Sequence, residues 1–175
     1  MNEILKNYVT NIPDFPRKGV IFRDITSVIQ SSEGLSLAIN ALTESVKDLE
    51  FDRIAAIESR GFIFGSILAE KLGKGLVLVR KKGKLPRETV SAEYDLEYGS
   101  EVIEIHKDAI NAGDRVLVID DLLATGGTAK TAAHLVEMLG GKVTGAAFLI
   151  ELTDLGGRTA LKNYPVRSII TYDGE

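Results

Sequence analysis

The sequence predicts an α/β fold with a mostly parallel sheet and helices on both of its faces. Short apolar runs alternate with segments of helical spacing along most of the chain, a pattern typical of parallel strands joined by crossover helices. The run at 115–119 is almost entirely apolar, as expected for a strand buried on both faces. Hydrophobic residues make up 45% of 175 residues, enough for a core in a chain of single-domain length. We therefore expect one domain over residues 1–175.

The N-terminal part of the chain predicts two helices separated by a loop. Leu5, Tyr8 and Val9 have the spacing of one helical face and indicate a short helix. Residues 13–19 contain two prolines and a glycine, which favour an extended loop. Apolar residues recur every three to four positions in 31–47, so this segment is predicted to be an amphipathic helix.

The rest of the chain supplies the predicted sheet. Residues 98–100 separate two strand-like segments and predict a hairpin. Gly73 is suited to end a helix in the left-handed conformation. The predicted strands are 53–57, 75–79, 89–97, 101–107, 115–119, 143–152 and 166–171. The predicted helices are 61–72 and 126–139, and the predicted basic loop is 80–88.

Composition excludes several classes of function. The chain has no cysteine, which excludes disulfides, thiolate catalysis and cysteine-based metal sites. Its net charge of -4 argues against a general nucleic-acid binder. No apolar run is long enough for a bilayer, and the N-terminus lacks the apolar core of a signal peptide. We expect a cytosolic protein without membrane or nucleic-acid partners. His106 and His134 are predicted to be structural surface residues.

Residues 116–128 form the most informative motif. An apolar strand is predicted to end in two carboxylates, and a turn of small residues then opens a helix. In a parallel sheet such a turn lies at the carboxyl end of a strand, where ligands bind. Glycines allow close backbone approach, and free N–H groups and the helix dipole favour an anion. The predicted phosphate-binding residues are Ala124, Thr125, Gly126, Gly127 and Thr128.

The acidic pair in this motif suits a sugar rather than a phosphate. Asp120 and Asp121 would repel phosphate, but carboxylates accept hydrogen bonds from a ribose diol and stabilise an emerging cation. The alternative is that the two acids only cap the helix and tighten the connection. The whole string resembles the phosphoribosyl diphosphate signature of type I phosphoribosyltransferases, and it lacks the lysine of a Walker loop. The resemblance implies the Rossmann-like fold of that family, with a small hood over the base contributed by about residues 1–30.

A second anion site is predicted where 53–57 meets the next helix. Ser59 and Arg60 offer a hydroxyl, backbone N–H groups and a guanidinium at a helix start. The alternative is ordinary helix capping by Ser59. The segment resembles the diphosphate-binding loop of the family, which implies a cis non-proline peptide there.

Five of the eight residues in 80–87 are basic. On its own such a run is a solvated loop or a nucleic-acid patch, but here a hairpin follows that can close as a cationic lid and exclude water. The segment resembles the mobile catalytic loop of adenine phosphoribosyltransferases. That resemblance implies diphosphate contacts from Arg80 and Lys84, a contact from Glu97 to purine N7, and a lid fastened by Tyr98. The implied catalytic residues are Glu97, Tyr98, Arg60 and Lys84.

Residues 14–25 resemble the family's N-terminal hood over the base. The resemblance implies that Phe22 stacks on adenine, that backbone groups of Ile21 and Arg23 read its edge, and that Leu152 lies on its other side. Taken alone, Phe22 fits a core position equally well. The 6-oxopurine enzymes place a lysine near 148–153, and this segment has none, which favours adenine.

The resemblance implies transfer of the phosphoribosyl group from phosphoribosyl diphosphate to adenine, giving AMP and diphosphate. It also implies Mg²⁺ carried with phosphoribosyl diphosphate and touched by Asp120 through water, and a homodimer. Two alternatives remain. One is an enzyme acting on hypoxanthine or xanthine. The other is a regulator that binds phosphoribosyl diphosphate and controls transcription, against which the acidic balance and the lack of a DNA-binding segment weigh.

Overall fold

A computed structural model of the protein describes residues 2–96 and 99–173. Within these ranges the helices are α1 Asn2–Lys6, α2 Thr26–Gln30, α3 Ser32–Ser45, α4 Gly61–Leu72, α5 Gly127–Met138 and α6 Gly157–Ala160, and a 3-10 turn spans Thr153–Leu155. The strands are β1 Thr10–Pro13, β2 Ile21–Asp24, β3 Arg53–Ile57, β4 Gly75–Lys81, β5 Thr89–Leu96, β6 Gly99–His106, β7 Arg115–Leu123, β8 Lys142–Leu152 and β9 Val166–Tyr172.

The central sheet confirms the predicted fold class. Its seven strands have the order β5-β6-β4-β3-β7-β8-β9. The last five strands in this order are parallel to one another. The hairpin of β5 and β6 is antiparallel, as predicted. One apolar cluster packs α3 and α4 against one face of the sheet, and a second packs α5 against the other. Both faces are therefore covered, which accounts for the near-continuous apolar runs in β3 and β7.

The connections place a crevice between β3 and β7. These two strands are parallel neighbours, but β3 leads through α4 to β4 on one side, while β7 leads through α5 to β8 on the other. The two loops leave the strand ends in opposite directions. A sheet of this kind opens at such a switch point to take a ligand.

Strand β7 is longer than predicted. It continues through Asp120 and Asp121 to Leu123, because β8 runs beside it and pairs Asp120 with Phe148 and Leu123 with Glu151. The sequence interpretation ended the strand at the acidic pair, and that boundary is wrong: available ladder hydrogen bonds outweigh the polarity of two side chains. The acids thus lie within the strand, where β8 continues beside them on one side, although the pairing with β3 on the other side ends at Ile119.

The N-terminal region also contains elements that were not predicted. Strands β1 and β2 flank the predicted loop and pair antiparallel, although Pro13 occupies one of them, as an edge strand allows. The peptide before Pro16 is cis. The predicted helix at 31–47 begins one residue later as α3, and Ser31 caps it by accepting a hydrogen bond from Gly34 N (3.1 Å).

Other elements agree closely with their predictions. Strand β3 and helix α4 have the predicted limits, and Gly73 ends α4 in the left-handed region with φ of 62°. In the described part of the chain, no helix combines the length and apolarity needed to cross a bilayer. The cytosolic location inferred from composition stays a prediction.

Candidate active site

Two adjoining cavities open at the carboxyl ends of β3 and β7. The larger is about 390 Å³ and the smaller about 80 Å³, and both are lined by Asp120 and Thr128. The larger cavity is also lined by Ser59 and Arg60. The smaller adds the predicted phosphate-binding residues Ala124, Thr125, Gly126 and Gly127. One continuous crevice therefore brings together residues from both predicted anion sites.

The turn after β7 has the backbone of an anion site. Gly126 has φ of 82°, which lies in the left-handed region that favours glycine. A Cβ at this position would lie 2.8 Å from the carbonyl oxygen of Gly157, so no side chain fits. Helix α5 starts at Gly127 and runs for 12 residues. Its first N–H groups and its dipole favour an anion in the small cavity.

The acidic pair is held by Arg60. Arg60 Nε donates to Asp121 Oδ2 at 2.5 Å, and the Asp121 side chain is only 6% exposed, whereas that of Arg60 is 49% exposed. Asp120 Oδ1 accepts from the backbone N–H of Asp121 at 2.9 Å. Burial, together with the charge of Asp121, raises the pKa of Asp120. Burial alone would lower the pKa of Arg60, but the nearby carboxylates outweigh it and raise that pKa.

The predicted cis non-proline peptide is present between Glu58 and Ser59. The Glu58 carboxylate accepts from Arg80 Nε and Nη2, both at 3.2 Å. These hydrogen bonds lower the pKa of Glu58. Arg80 Nη1 also donates to the carbonyl oxygen of Lys84 at 3.1 Å. Arg80 and Lys84 are thus tied to each other beside the crevice but do not line the larger cavity, and their contacts to diphosphate stay predictions.

Three side chains in the cavity wall were missed by the sequence interpretation. Tyr94 Oη donates to Glu101 Oε2 at 2.7 Å, and Lys81 Nζ donates to Glu101 Oε1 at 2.5 Å. Hydrogen bonds from Lys81 and Tyr94 lower the pKa of Glu101, and burial raises that of Tyr94. Tyr94 and Glu101 are cross-strand partners in the hairpin. The predicted turn at 98–100 would have paired Tyr94 with Glu104, whereas β6 already begins at Gly99 and Leu96 pairs with Gly99. Glu97 and Tyr98 lie outside the described residues.

Two of the four predicted base-binding residues, Arg23 and Leu152, lie beside Tyr172. Phe22 packs edge-on against Phe15, with ring centroids 5.2 Å apart. The guanidinium carbon of Arg23 lies 4.1 Å from the centroid of the Tyr172 ring. Tyr172 is in turn the β9 partner of Leu152 on β8. Residues from the N-terminal strands and from the far side of the sheet therefore share one neighbour.

The N-terminal strands also approach the anion site. Asp24, the last residue of β2, contributes to raising the pKa of Arg60, and its own pKa is lowered by hydrogen bonds from Thr26 and by Arg60. Ile21 at the start of β2 is 37% exposed. The region proposed to hold a base and the region suited to phosphate are thus electrostatic neighbours.

The described residues contain no group of three or more histidine and acidic side chains arranged to hold a metal ion. His134 is exposed on α5, and His106 is half-buried at the end of β6. Mg²⁺ commonly takes one or two carboxylates and completes its shell with substrate phosphates and water. Asp120, whose pKa is raised by burial and by the negative charge of Asp121, fits such an ion.

The two neighbouring acids should respond oppositely to neutralisation. The raised pKa of Asp120 means that folding favours its protonated form, so this contribution to stability is present at low pH and is lost as pH rises through the folded-state pKa. Asp120→Asn should therefore stabilise the protein at pH 7, and the gain should shrink at pH 5. Asp121→Asn should instead cost about 1–2 kcal/mol, because Arg60 loses its partner.

Urea unfolding followed by circular dichroism at both pH values measures this difference. In Asp120→Asn the amide oxygen can still accept the hydrogen bond from the backbone N–H of Asp121. Both variants therefore remove a negative charge while nearly keeping the size and shape of the side chain. A loss of stability of equal size in both variants at pH 7 would contradict the assignment.

Comparison with known proteins places this crevice in a family. Residues 26–173 match the family model described as the phosphoribosyl transferase domain. The adenine phosphoribosyltransferase of Agathobacter rectalis is 54% identical over 171 residues, which cover 98% of each chain. The crystal structure of adenine phosphoribosyltransferase from Thermoanaerobacter pseudethanolicus gives a TM-score of 0.95 at 50% identity and covers 98% of this chain and 100% of that one.

A third relative was solved with ligands. The adenine phosphoribosyltransferase of Saccharomyces cerevisiae, complexed with D-2,5-dideoxy-2,5-imino-altritol 1,6-bisphosphate and adenine, gives a TM-score of 0.90 at 41% identity and covers 96% of this chain and 97% of that one. Sequence and structure agree over nearly the full length of each relative. The chain belongs to the phosphoribosyltransferase family, and its relatives within that family are adenine phosphoribosyltransferases.

Proposed function

We propose that this protein transfers the 5-phosphoribosyl group of phosphoribosyl diphosphate to adenine, giving AMP and diphosphate in purine salvage. The observation that carries the proposal is the crevice in which Asp120 lies between the phosphate turn and the Ser59–Arg60 site, with Asp121 bound to Arg60 behind it. A ribose with a phosphate at one end and a diphosphate at the other presents its groups in the same order. Family membership supports the same reaction.

Each part of the crevice has a role in binding phosphoribosyl diphosphate. Backbone N–H groups and hydroxyls of 124–128 hold the 5-phosphate. Asp120 and Asp121 accept hydrogen bonds from the ribose hydroxyls. Arg60 reaches Asp121 through Nε, and because a guanidinium has five donors, its terminal N–H groups remain for the diphosphate beside Ser59.

The chemistry is displacement of diphosphate at the ribose C1 atom. As the bond from C1 to the diphosphate oxygen breaks, positive charge develops on the sugar ring and negative charge on the leaving group. Asp120 and Asp121 stabilise the first, and Arg60, Arg80 and Lys84 stabilise the second. Adenine N9 forms the new bond to C1, and the Glu97 carboxylate takes up the proton that adenine gives up at N7. Loss of one such fixed contact typically costs about 10²–10³ in rate.

Magnesium fits this site as a companion of the substrate. When bound with the substrate, Mg²⁺ would supply positive charge that offsets the phosphate charges. Asp120 is the residue that would hold it, through a water molecule. The ion pair between Arg60 and Asp121 leaves Asp120 as the carboxylate of the pair with the greater need for a cation.

The base site lies between the N-terminal strands and Leu152. Phe22 stacks on adenine from one side and Leu152 packs from the other, while backbone groups of Ile21 and Arg23 meet the donors and acceptors of the purine edge. The stack of Arg23 on Tyr172, which neighbours Leu152 in the sheet, supports this arrangement. The relative from Saccharomyces cerevisiae was solved with adenine, in agreement with the choice of base.

Residues 80–96, which end in β5, form the described part of the proposed lid over residues 80–98. Tyr94 and Glu101 already bring it to the wall of the larger cavity. Closing this lid would exclude water and bring its lysines and arginines towards diphosphate. Glu97 contacts adenine N7 and Tyr98 fastens the closed lid in this proposal.

A panel of purine bases tests the function directly. Purified protein with phosphoribosyl diphosphate and Mg²⁺ should convert labelled adenine to AMP, and should convert hypoxanthine, guanine and xanthine at least about 10²-fold less efficiently, since buried polar groups left unpaired penalise the wrong base. Chelation of Mg²⁺ should abolish the product. No product from any base, together with a nucleic-acid mobility shift, would favour the regulatory alternative, and product from a 6-oxopurine would redirect the substrate assignment.

Glu97→Gln tests whether the Glu97 carboxylate takes up the proton that adenine loses. The amide keeps the size of the side chain but cannot exchange a proton, so kcat should fall about 10²-fold while the KM for adenine changes much less. Steady-state kinetics with adenine as the varied substrate measures both. Glu93→Gln is the matched control, because Glu93 is an exposed residue of β5 that bonds to Ser100. A wild-type kcat for Glu97→Gln would remove this role.

A homodimer is the proposed assembly. Leu76 and Leu78 on β4 are each 36% exposed, and among the described residues the outer edge of β4 pairs with β6 only through Arg80 and Lys81. A strand with one edge largely unpaired and with exposed leucines is a suitable self-association surface. Closed dimers are the commonest assembly.

Leu78→Glu should therefore shift the protein to monomer in analytical ultracentrifugation, because a charge cannot be buried unpaired in an interface. Met138→Glu, at a 50% exposed position on α5, is the control and should keep the wild-type mass. A dimer in both variants would place the interface elsewhere.

A further inference from the structure

An ion pair outside the crevice ties down the segment that follows β8. Arg158 Nε and Nη2 donate to the two carboxylate oxygens of Glu151, each at 2.7 Å. The Glu151 side chain is 5% exposed and that of Arg158 is 53% exposed. A two-pronged bond to a buried carboxylate has a fixed geometry, unlike most surface ion pairs.

Arg158 also contacts strand β9. Its Nη1 donates to the carbonyl oxygen of Val166 at 3.2 Å, and its Nη2 donates to Ser168 Oγ at 2.8 Å. Ser168 in turn bonds to Glu151. One guanidinium therefore fixes α6, which carries Arg158, to the ends of both β8 and β9.

The residue before Arg158 touches the phosphate turn. A Cβ on Gly157 would lie 2.5 Å from the carbonyl oxygen of Ala124 and 2.6 Å from Leu123 Cγ. In the other direction, a Cβ on Gly126 would lie 2.8 Å from the carbonyl oxygen of Gly157. Helix α6 and the phosphate turn are thus in direct backbone contact, with no adaptable side chain between them.

We propose that Glu151 and Arg158 are positioning residues for the 5-phosphate site: their ion pair presses Gly157 against the 124–128 turn and so sets the direction of its N–H groups. This inference rests on the proposed function of that turn. Neither side chain lines the two cavities of the crevice, so the pair acts through the backbone of α6. Small displacements of a phosphate cradle weaken binding, since its hydrogen bonds depend on distance and angle.

The terminal phosphate takes no part in bond breaking, so its contacts stabilise substrate and transition state alike. Losing such contacts raises KM and leaves kcat unchanged. Arg158→Gln should therefore raise the KM for phosphoribosyl diphosphate about tenfold, with kcat within about twofold and the KM for adenine unchanged. Arg158→Lys, which keeps the charge without the planar fork, should give an intermediate KM.

Direct binding separates positioning from general damage. In calorimetric titrations, Arg158→Gln should bind ribose 5-phosphate about tenfold more weakly than wild type and bind diphosphate with unchanged affinity. Gly157→Ala should show the same selective loss through an intact ion pair, because its methyl group must push the Ala124 carbonyl. If both variants lose affinity for ribose 5-phosphate alone, misfolding of Arg158→Gln is not the cause of its loss. Circular dichroism checks that each variant is folded.

Arg167→Gln is the matched control. Arg167 lies on β9 and, like Arg158, pairs with an acid, in this case Asp48 at 2.8 Å. It borders α3 rather than the phosphate turn, since it donates to the carbonyl oxygen of Ser45. It should keep wild-type kinetics. Transfer activity in wild type with an unchanged phosphoribosyl diphosphate KM in Arg158→Gln and Gly157→Ala would overturn the positioning role alone. A wild-type protein without transfer activity would instead overturn the proposed function.

Discussion

The ion pair of Arg60 with Asp121 is the interaction on which the site depends. Two adjacent carboxylates inside a central strand repel each other, and burial strengthens that repulsion. Arg60 neutralises the more buried member and leaves Asp120 facing the crevice with a raised pKa. The arrangement places a partly uncompensated negative charge beside the ligand space, at the cost of some stability. A developing positive charge on a sugar is what such a charge can stabilise.

The same principle extends to the other cations around the crevice. Arg80 is bound by Glu58 and Lys81 by Glu101, so in each case a carboxylate of the protein takes the place of an anionic ligand. In the proposed function, diphosphate binding by Arg80 therefore exchanges one anionic partner for another rather than filling an empty positive pocket. Part of the attraction between protein and diphosphate is offset by the carboxylates that must be displaced, which favours release of the product after transfer.

The sequence predicted the parts of the fold in which local pattern and tertiary environment agree. Strand β3 and helix α4 have the predicted limits because an apolar run and a helical repeat each met a matching environment. Strand β7 was predicted too short, since its polar continuation is stabilised by β8, a partner distant in sequence. Strands β1 and β2 were missed because Pro13 and Pro16 indicated only a loop. The residue types of the two turns predicted that both lie at the crevice, as they do, whereas Tyr94 and Glu101 needed the hairpin register and Arg158 needed a tertiary contact.

The contact of Arg23 with Tyr172 has a consequence for how the halves of the crevice form. The phosphate turn is built from one continuous strand, turn and helix, so most of its contacts are local in sequence. The base side requires β2 to meet β9, which joins segments from nearly opposite ends of the described chain. Long-range contacts of this kind form late in folding, because the loop they close is costly in entropy. In the proposed function, a partly unfolded molecule would thus lose purine binding before it loses phosphate binding. Backbone amide hydrogens would exchange faster in β2 than in α5.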